Sequence, residues 1–329
     1  MKKLITVILM LALALSLASP SLAEAAPLKV AAVLSGSLGD RSFYDSANAG
    51  VQALIAKYGV TGSVIECKND ASMFTTNLIS AAEANDVVIA VGWEFWDALT
   101  EYAPQLPDTK FIFIDNGLDG VGDNLLSITY AQNEGSFLAG YIAGKLSKTG
   151  KVGAVGGEDA DTINDFIVGY EAGAKFANPD IACMRQYAGT YDDPAKGKEN
   201  ALALYGMGCD VVFQIASKTG EGVFEAAQET GNYAIGVDSD QKYINPEVIV
   251  CSMVKEVGKS IETAVGNLID KGEFAGGTIW EADMTTGLID VAYGDDTMTQ
   301  QVTPELKAEV EQIKSDIMSG KIVVPSVFE

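Results

Sequence analysis

A series of short apolar runs rich in β-branched residues, separated by segments of helical period, constrains this chain more than any other feature. LKVAAVL (28–34), SVIEC (63–67), DVVIAV (86–91), KFIFID (110–115) and NLLSITY (124–130) read as strands. Helices lie between the first four, and 43–58 is the clearest, with Phe43, Ala47, Val51, Leu54, Ile55 and Tyr58 recurring on one helical face. The rhythm restarts after Gly150 with KVGAVGG, IACMRQYAG, DVVFQIA, YAIGVD and VIVCSMV. Strands that are apolar throughout, with helices between them, belong to parallel sheets covered on both faces. A chain of 329 residues also exceeds what one core usually serves. The pattern therefore predicts an α/β protein of two doubly wound lobes.

The tail adds a helix over 254–271, a strand in TGLIDVAY and a helix over 304–320. The economical placement sends the chain back across, so that 27–130 and about 254–289 form the first lobe. Residues 131–253 and about 290–329 form the second, with the ligand cleft between them.

Two lysines, an apolar run from Leu4 to about Ala18 and the small residues around Ser21 and Ala23 have the layout of a cleavable export signal over 1–23. The run is too short for a good membrane anchor, and the first cysteine, Cys67, is far from any lipid-attachment position. The expectation is a soluble, exported, periplasmic or extracytoplasmic protein. Without Lys2 and Lys3 the chain carries 20 basic against 45 acidic residues, which argues against nucleic acid and anionic membranes as partners. Histidine is absent, which removes mechanisms built on an imidazole base or ligand. Cys67, Cys183, Cys209 and Cys251 lie in or beside strands without close paired spacing and are expected as free thiols.

Ligands of open parallel sheets sit beyond the carboxyl ends of the strands. Phe43 and Tyr44 lie at such an end, behind the loop SGSLGD, whose glycines lack the dinucleotide spacing and which carries the acid Asp40. No cofactor or metal is expected. Other strand ends repeat the pattern: GWEFWDAL brings Trp93, Phe95 and Trp96, KFIFID ends in Asp115, DVVFQIASKTGEG carries Phe213, and YAIGVDSDQ ends in Asp238 and Asp240. Rings and carboxylates gathered from both lobes suit a flat, polyhydroxylated ligand. Phe95 and Phe213 are also fair candidates for core filling, and Asp40 for capping the helix that follows it.

Several stretches together, among them GDRSFYDSANAG, FLAGYIAGKLSKTGKVGAVGG, FIVGYEAGAKFANPDI, TGEGVFEAAQETGNYAIGVDSDQ and SGKIVVPS, resemble the basic membrane protein family of substrate-binding proteins, in family order. The resemblance implies a type I periplasmic-binding-protein fold with three crossovers between lobes, closing like a hinged jaw around a purine nucleoside delivered to an ABC permease and its ATPase. It implies that Phe43 and Phe213 sandwich the base and that Asp238 holds the ribose hydroxyls, with Asp40, Asp115 and Lys255 as further polar pocket positions. The chain departs from the family where Tyr44 replaces an asparagine suited to a purine edge and where Trp93 is large for its loop, so the base-reading edge has changed. A monomer without catalytic activity is expected. The alternatives are a sensor feeding a membrane receptor, or a binder of a free nucleobase or another aromatic polyol such as a flavin. A nucleoside hydrolase on this scaffold would need a tight carboxylate cluster, which the first loop does not supply.

Overall fold

The computed structural model describes residues 26–328; the export-signal reading of 1–23 lies outside them. The first series forms β1 (Lys29–Leu34), α1 (Phe43–Tyr58), β2 (Thr61–Glu66), α2 (Ala71–Ala84), β3 (Val87–Val91), α3 (Trp96–Tyr102), β4 (Lys110–Ile114) and β5 (Leu125–Tyr130). The second forms α4 (Gln132–Leu146), β6 (Lys151–Gly156), α5 (Asp161–Ala177), β7 (Ala182–Tyr187), α6 (Pro194–Gly206), β8 (Val211–Ile215), α7 (Glu221–Thr230), β9 (Tyr233–Asp238) and β10 (Ile249–Lys255). The chain ends with α8 (Val257–Lys271), β11 (Thr278–Ala282), β12 (Ile289–Ala292) and α9 (Pro304–Met318).

The strand orders are β11-β5-β4-β3-β1-β2 and β12-β10-β9-β8-β6-β7, so each sheet is built on the same plan. Every pairing is parallel except that of β12 with β10. Val87–Val91 and Val211–Ile215 are buried along their whole length, as strands covered on both faces must be. The chain passes between sheets after β5, after β10 and between β11 and β12. β11 has no counterpart among the expected strands. It is an edge strand, mostly exposed, and TIWEA lacks the continuous apolar run that marks its neighbours.

Two glycine-rich segments explain how the helices approach each other. In α4 and α5, a Cβ at Gly140, Gly169 or Gly173 would collide with the backbone carbonyl of Tyr170, Asn133 or Phe137. Helix α5 therefore lies against α4 backbone to backbone, which fixes the position of the cleft-facing first turns of α5. Helix α8 returns to the first lobe and meets α1 in the same way, with Gly50 against Gly258. The four cysteines are free, Cys67, Cys209 and Cys251 being buried. Among the described residues, no helix is long and apolar enough to cross a membrane.

Candidate functional site

The loops at the carboxyl ends of the two sheets enclose a narrow cleft. It holds about 490 Å³ of space not filled by atoms, part of it open to solvent. Aromatic residues line much of it: Phe43 and Tyr44 from the start of α1, Trp93 from the turn after β3, Phe166 from α5 and Tyr191 from the loop before α6. The remaining wall includes Ile163, Ile215 and Val237, and the charged groups are Glu94, Asp115, Asp238 and Lys255.

Lys255 organises one end. It is the last residue of β10, only 2% exposed, and its Nζ donates to Asp115 Oδ1 at 2.6 Å with Asp238 Oδ1 at 3.9 Å. The same ammonium lies 4.9 Å from the ring centres of both Phe43 and Phe166, one from each lobe, and 5.2 Å from that of Tyr130. Asp115 follows β4 and Asp238 ends β9, equivalent places in the two sheets, and both have left-handed backbone, φ 82° and φ 62°. Non-glycine residues held there cost about 1–3 kcal/mol each, a cost typical of functional sites. Burial raises the Asp238 carboxyl above its usual range, opposed by Lys255 and by the Ser42 hydroxyl.

Direct contacts join the lobes around this end. Ser42 Oγ donates to Asp238 Oδ2 at 2.6 Å, and Ser217 Oγ donates to Asp40 Oδ2 at 2.9 Å. Each lobe thus supplies a hydroxyl to a carboxylate of the other. Gln241 Nε2 adds a bond to the Arg41 carbonyl at 3.2 Å, and Arg41 Nε faces Glu221 Oε1 at 3.6 Å.

Of the residues singled out in the sequence, Phe43, Tyr44, Trp93, Asp115, Asp238 and Lys255 meet in the cleft. Asp40 and Phe213 do not line it. Asp40 is 1% exposed and accepts from the amides of Ser42, Tyr44 and Asp45, so its carboxylate is occupied in capping α1. Burial raises its carboxyl to about 6 against the pull of those amides. Phe213 is fully buried, 5.3 Å from the ring of Tyr170 and 6.5 Å from that of Phe166. The reason is position: Phe213 sits at the middle of β8, whereas Ile215, Ala216 and Ser217, at and past the strand's carboxyl end, reach the cleft. The rings that line the cleft from the second lobe are those of Phe166 and Tyr191.

Sequence reasoning missed Phe166, Tyr191 and Glu94. Phe166 shares a face of α5 with core residues, so its period is that of packing. Tyr191 lies in the polar loop that leaves the carboxyl end of β7, several residues past the strand's last position. Glu94 hides between Trp93 and Phe95; its carboxyl is pushed up to about 7, chiefly by burial. The Tyr44 hydroxyl, which takes the place of a polar amide in the expected edge, is tied to Ser35 Oγ at 2.9 Å.

A family profile described as ABC transporter substrate-binding protein PnrA-like, Bmp, matches residues 28–326. The chain is 33% identical over 303 residues to basic membrane protein A of Borreliella burgdorferi, covering 91% of this chain and 88% of that one. It is 37% identical over 311 residues to the ABC transporter nucleoside-binding protein BmpA of Lactococcus lactis, covering 87% and 86%. Among solved structures, an ABC transporter solute-binding protein of Aeropyrum pernix superposes with a TM-score of 0.81 at 26% identity, covering 91% of this chain and 94% of that one.

Proposed function

Because the chain belongs to the Bmp family of PnrA-like ABC transporter substrate-binding proteins, we propose that the solute it carries to its importer is a nucleoside. The observation that carries this reading is that Phe43 and Phe166, from opposite lobes, both line the cleft with their ring centres 4.9 Å from the Lys255 ammonium that Asp115 and Asp238 hold. The rings offer two flat faces for a base. The carboxylates accept from the vicinal hydroxyls of a ribose, and Lys255 donates to the same hydroxyls. A stacked base contributes roughly 1–3 kcal/mol per ring and a charge-assisted hydrogen bond about 1.5–3 kcal/mol. Two rings and one carboxylate hydrogen bond therefore supply about 3.5–9 kcal/mol before the entropic cost of association is subtracted, against the roughly 8 kcal/mol of a micromolar complex. The relative from L. lactis described as nucleoside-binding supports the same ligand class.

In this reading the protein works outside the cytoplasmic membrane as a monomer and transforms nothing. The ligand touches both lobes only when they are shut, so closure reports occupancy to the permease. Mass spectrometry of the small molecules released on denaturing purified protein, followed by calorimetric titration of nucleosides, free bases and ribose, tests it. Micromolar or tighter binding of a nucleoside, with free base and ribose each at least tenfold weaker, is the expected result. Equal affinity for base and nucleoside would remove the sugar-holding role of Asp238. The absence of nucleoside binding would overturn the reading.

A further inference from the structure

The polar groups at the Lys255 end of the cleft satisfy one another, but two elsewhere in it do not. Among the described residues, Glu94 Oε2 and the Tyr191 hydroxyl are buried without a hydrogen-bond partner, and both residues line the cleft, one from each lobe. A buried polar atom left unpaired costs about 1–3 kcal/mol, and native structures keep such atoms where something else completes them. The local backbone is shaped around Glu94. It sits in the turn Trp93–Phe95 after β3, preceded by Gly92 at φ 122°, and a Cβ on Gly92 would collide with Ser35 Oγ and Glu94 Oε2. Only glycine lets the carboxylate fold back over the strand end.

We propose that Glu94, assisted by Tyr191 across the cleft, reads the edge of the ligand's base and selects 6-oxopurine nucleosides over 6-aminopurine ones. The proposal rests on the nucleoside reading above and adds the base. Above pH 7, where the titrations below are run, the Glu94 carboxyl is ionised, and an ionised carboxylate only accepts. The Watson–Crick edge of guanine presents N1–H and the 2-amino group side by side, two donors spaced for the two carboxylate oxygens, and hypoxanthine presents N1–H. Adenine places a lone pair at N1, which sets acceptor against acceptor. The Tyr191 hydroxyl can donate to the carbonyl at position 6. A site built to hydrogen-bond a particular edge rejects the analogue lacking it far more strongly than an apolar pocket rejects a change in size. Glu94 thus supplies what the loss of an asparagine at Tyr44 removes.

The test is calorimetric titration of ligand-stripped wild type, Glu94→Gln and Tyr191→Phe with guanosine, inosine, 1-methylguanosine and adenosine, alongside melting temperatures without ligand. Wild type should bind guanosine and inosine at least tenfold tighter than adenosine or 1-methylguanosine. Glu94→Gln should lose at least tenfold for guanosine, change less than threefold for adenosine, and melt no lower than wild type. Tyr191→Phe should lose severalfold for the 6-oxopurines. A wild-type preference for adenosine, equal losses for all ligands in Glu94→Gln, or a lower melting temperature for that variant would overturn the proposal. Nucleoside binding without discrimination among bases would remove the base-edge assignment alone. Failure of every nucleoside to bind would remove the ligand class as well.

Discussion

Ser42 Oγ donates a 2.6 Å hydrogen bond to Asp238 Oδ2 across the interface between the lobes, although 196 positions separate them in the chain. The bond puts a residue adjacent to Phe43 in contact with the carboxylate proposed to hold the sugar, so in that reading closure of the lobes would also shape the site. A hydrogen bond to a charged group contributes about 1.5–3 kcal/mol, part of which is lost to the open state. Ser42→Ala should therefore weaken ligand binding by roughly tenfold. Small-angle X-ray scattering should find the unliganded variant more extended than unliganded wild type. Identical scattering and identical affinity would show that the bond does not govern closure.

Phe166 and Phe213 separate a cleft ring from a core ring. Phe166→Ala removes one stacking face and should weaken nucleoside binding by at least tenfold. Phe213→Ala empties a fully buried position and should destabilise by about 3–5 kcal/mol, while the protein that remains folded binds within about threefold of wild type. Paired chemical denaturation and titration measure both. Affinity lost only in Phe213→Ala would return that residue to the site.

Lys255 is the cation between two buried carboxylates. Lys255→Met leaves Asp115 and Asp238 facing each other without a counter-charge, a change that costs about 3–5 kcal/mol in buried pairs. The loss should be largest at neutral pH and should shrink on acidification, because protonating a carboxyl removes the repulsion. Denaturation midpoints across pH check this. A loss independent of pH would mean that the aliphatic stem, not the charge, matters.

Glu94 gives a signed dependence on pH. Its carboxyl titrates at about 7 in the folded protein, against an ordinary 4.5, with Asp115 and Glu158 adding to the effect of burial and Ser35 opposing it. The folded state thus holds a proton that the unfolded chain releases between those values. The stabilisation is fully present below 4.5 and lost as pH rises through 7. Glu94→Gln, which does not ionise, should exceed wild type in stability above pH 7 by up to about 3 kcal/mol, with the gap closing below pH 4.5. A constant difference across that range would contradict it.

The two-lobed plan was legible because parallel strands buried on both faces must be apolar from end to end, as in Val87–Val91 and Val211–Ile215. Edge strand β11 escaped because exposure frees it from that demand. At the site, residues placed directly at a strand's carboxyl end were legible, as Asp115 and Asp238 illustrate, whereas Lys255 was implied only by the family resemblance. Phe213 was misplaced by a distance of two residues, since mid-strand side chains belong to the layers above and below the sheet. Phe166 was hidden because a helix that turns one face to the core can present its first turns to a cleft, and periodicity does not distinguish the two surroundings. Asp40 fitted both roles in sequence, and three backbone amides decided between them.

Lys255 ends a ladder strand and also begins one of the passages between the lobes. The proposed ligand site therefore lies beside a passage that joins the lobes, close to where a pivot between them would sit. If the lobes pivot about that passage, a small adjustment at the amine would be multiplied at their outer rims in proportion to distance from the pivot.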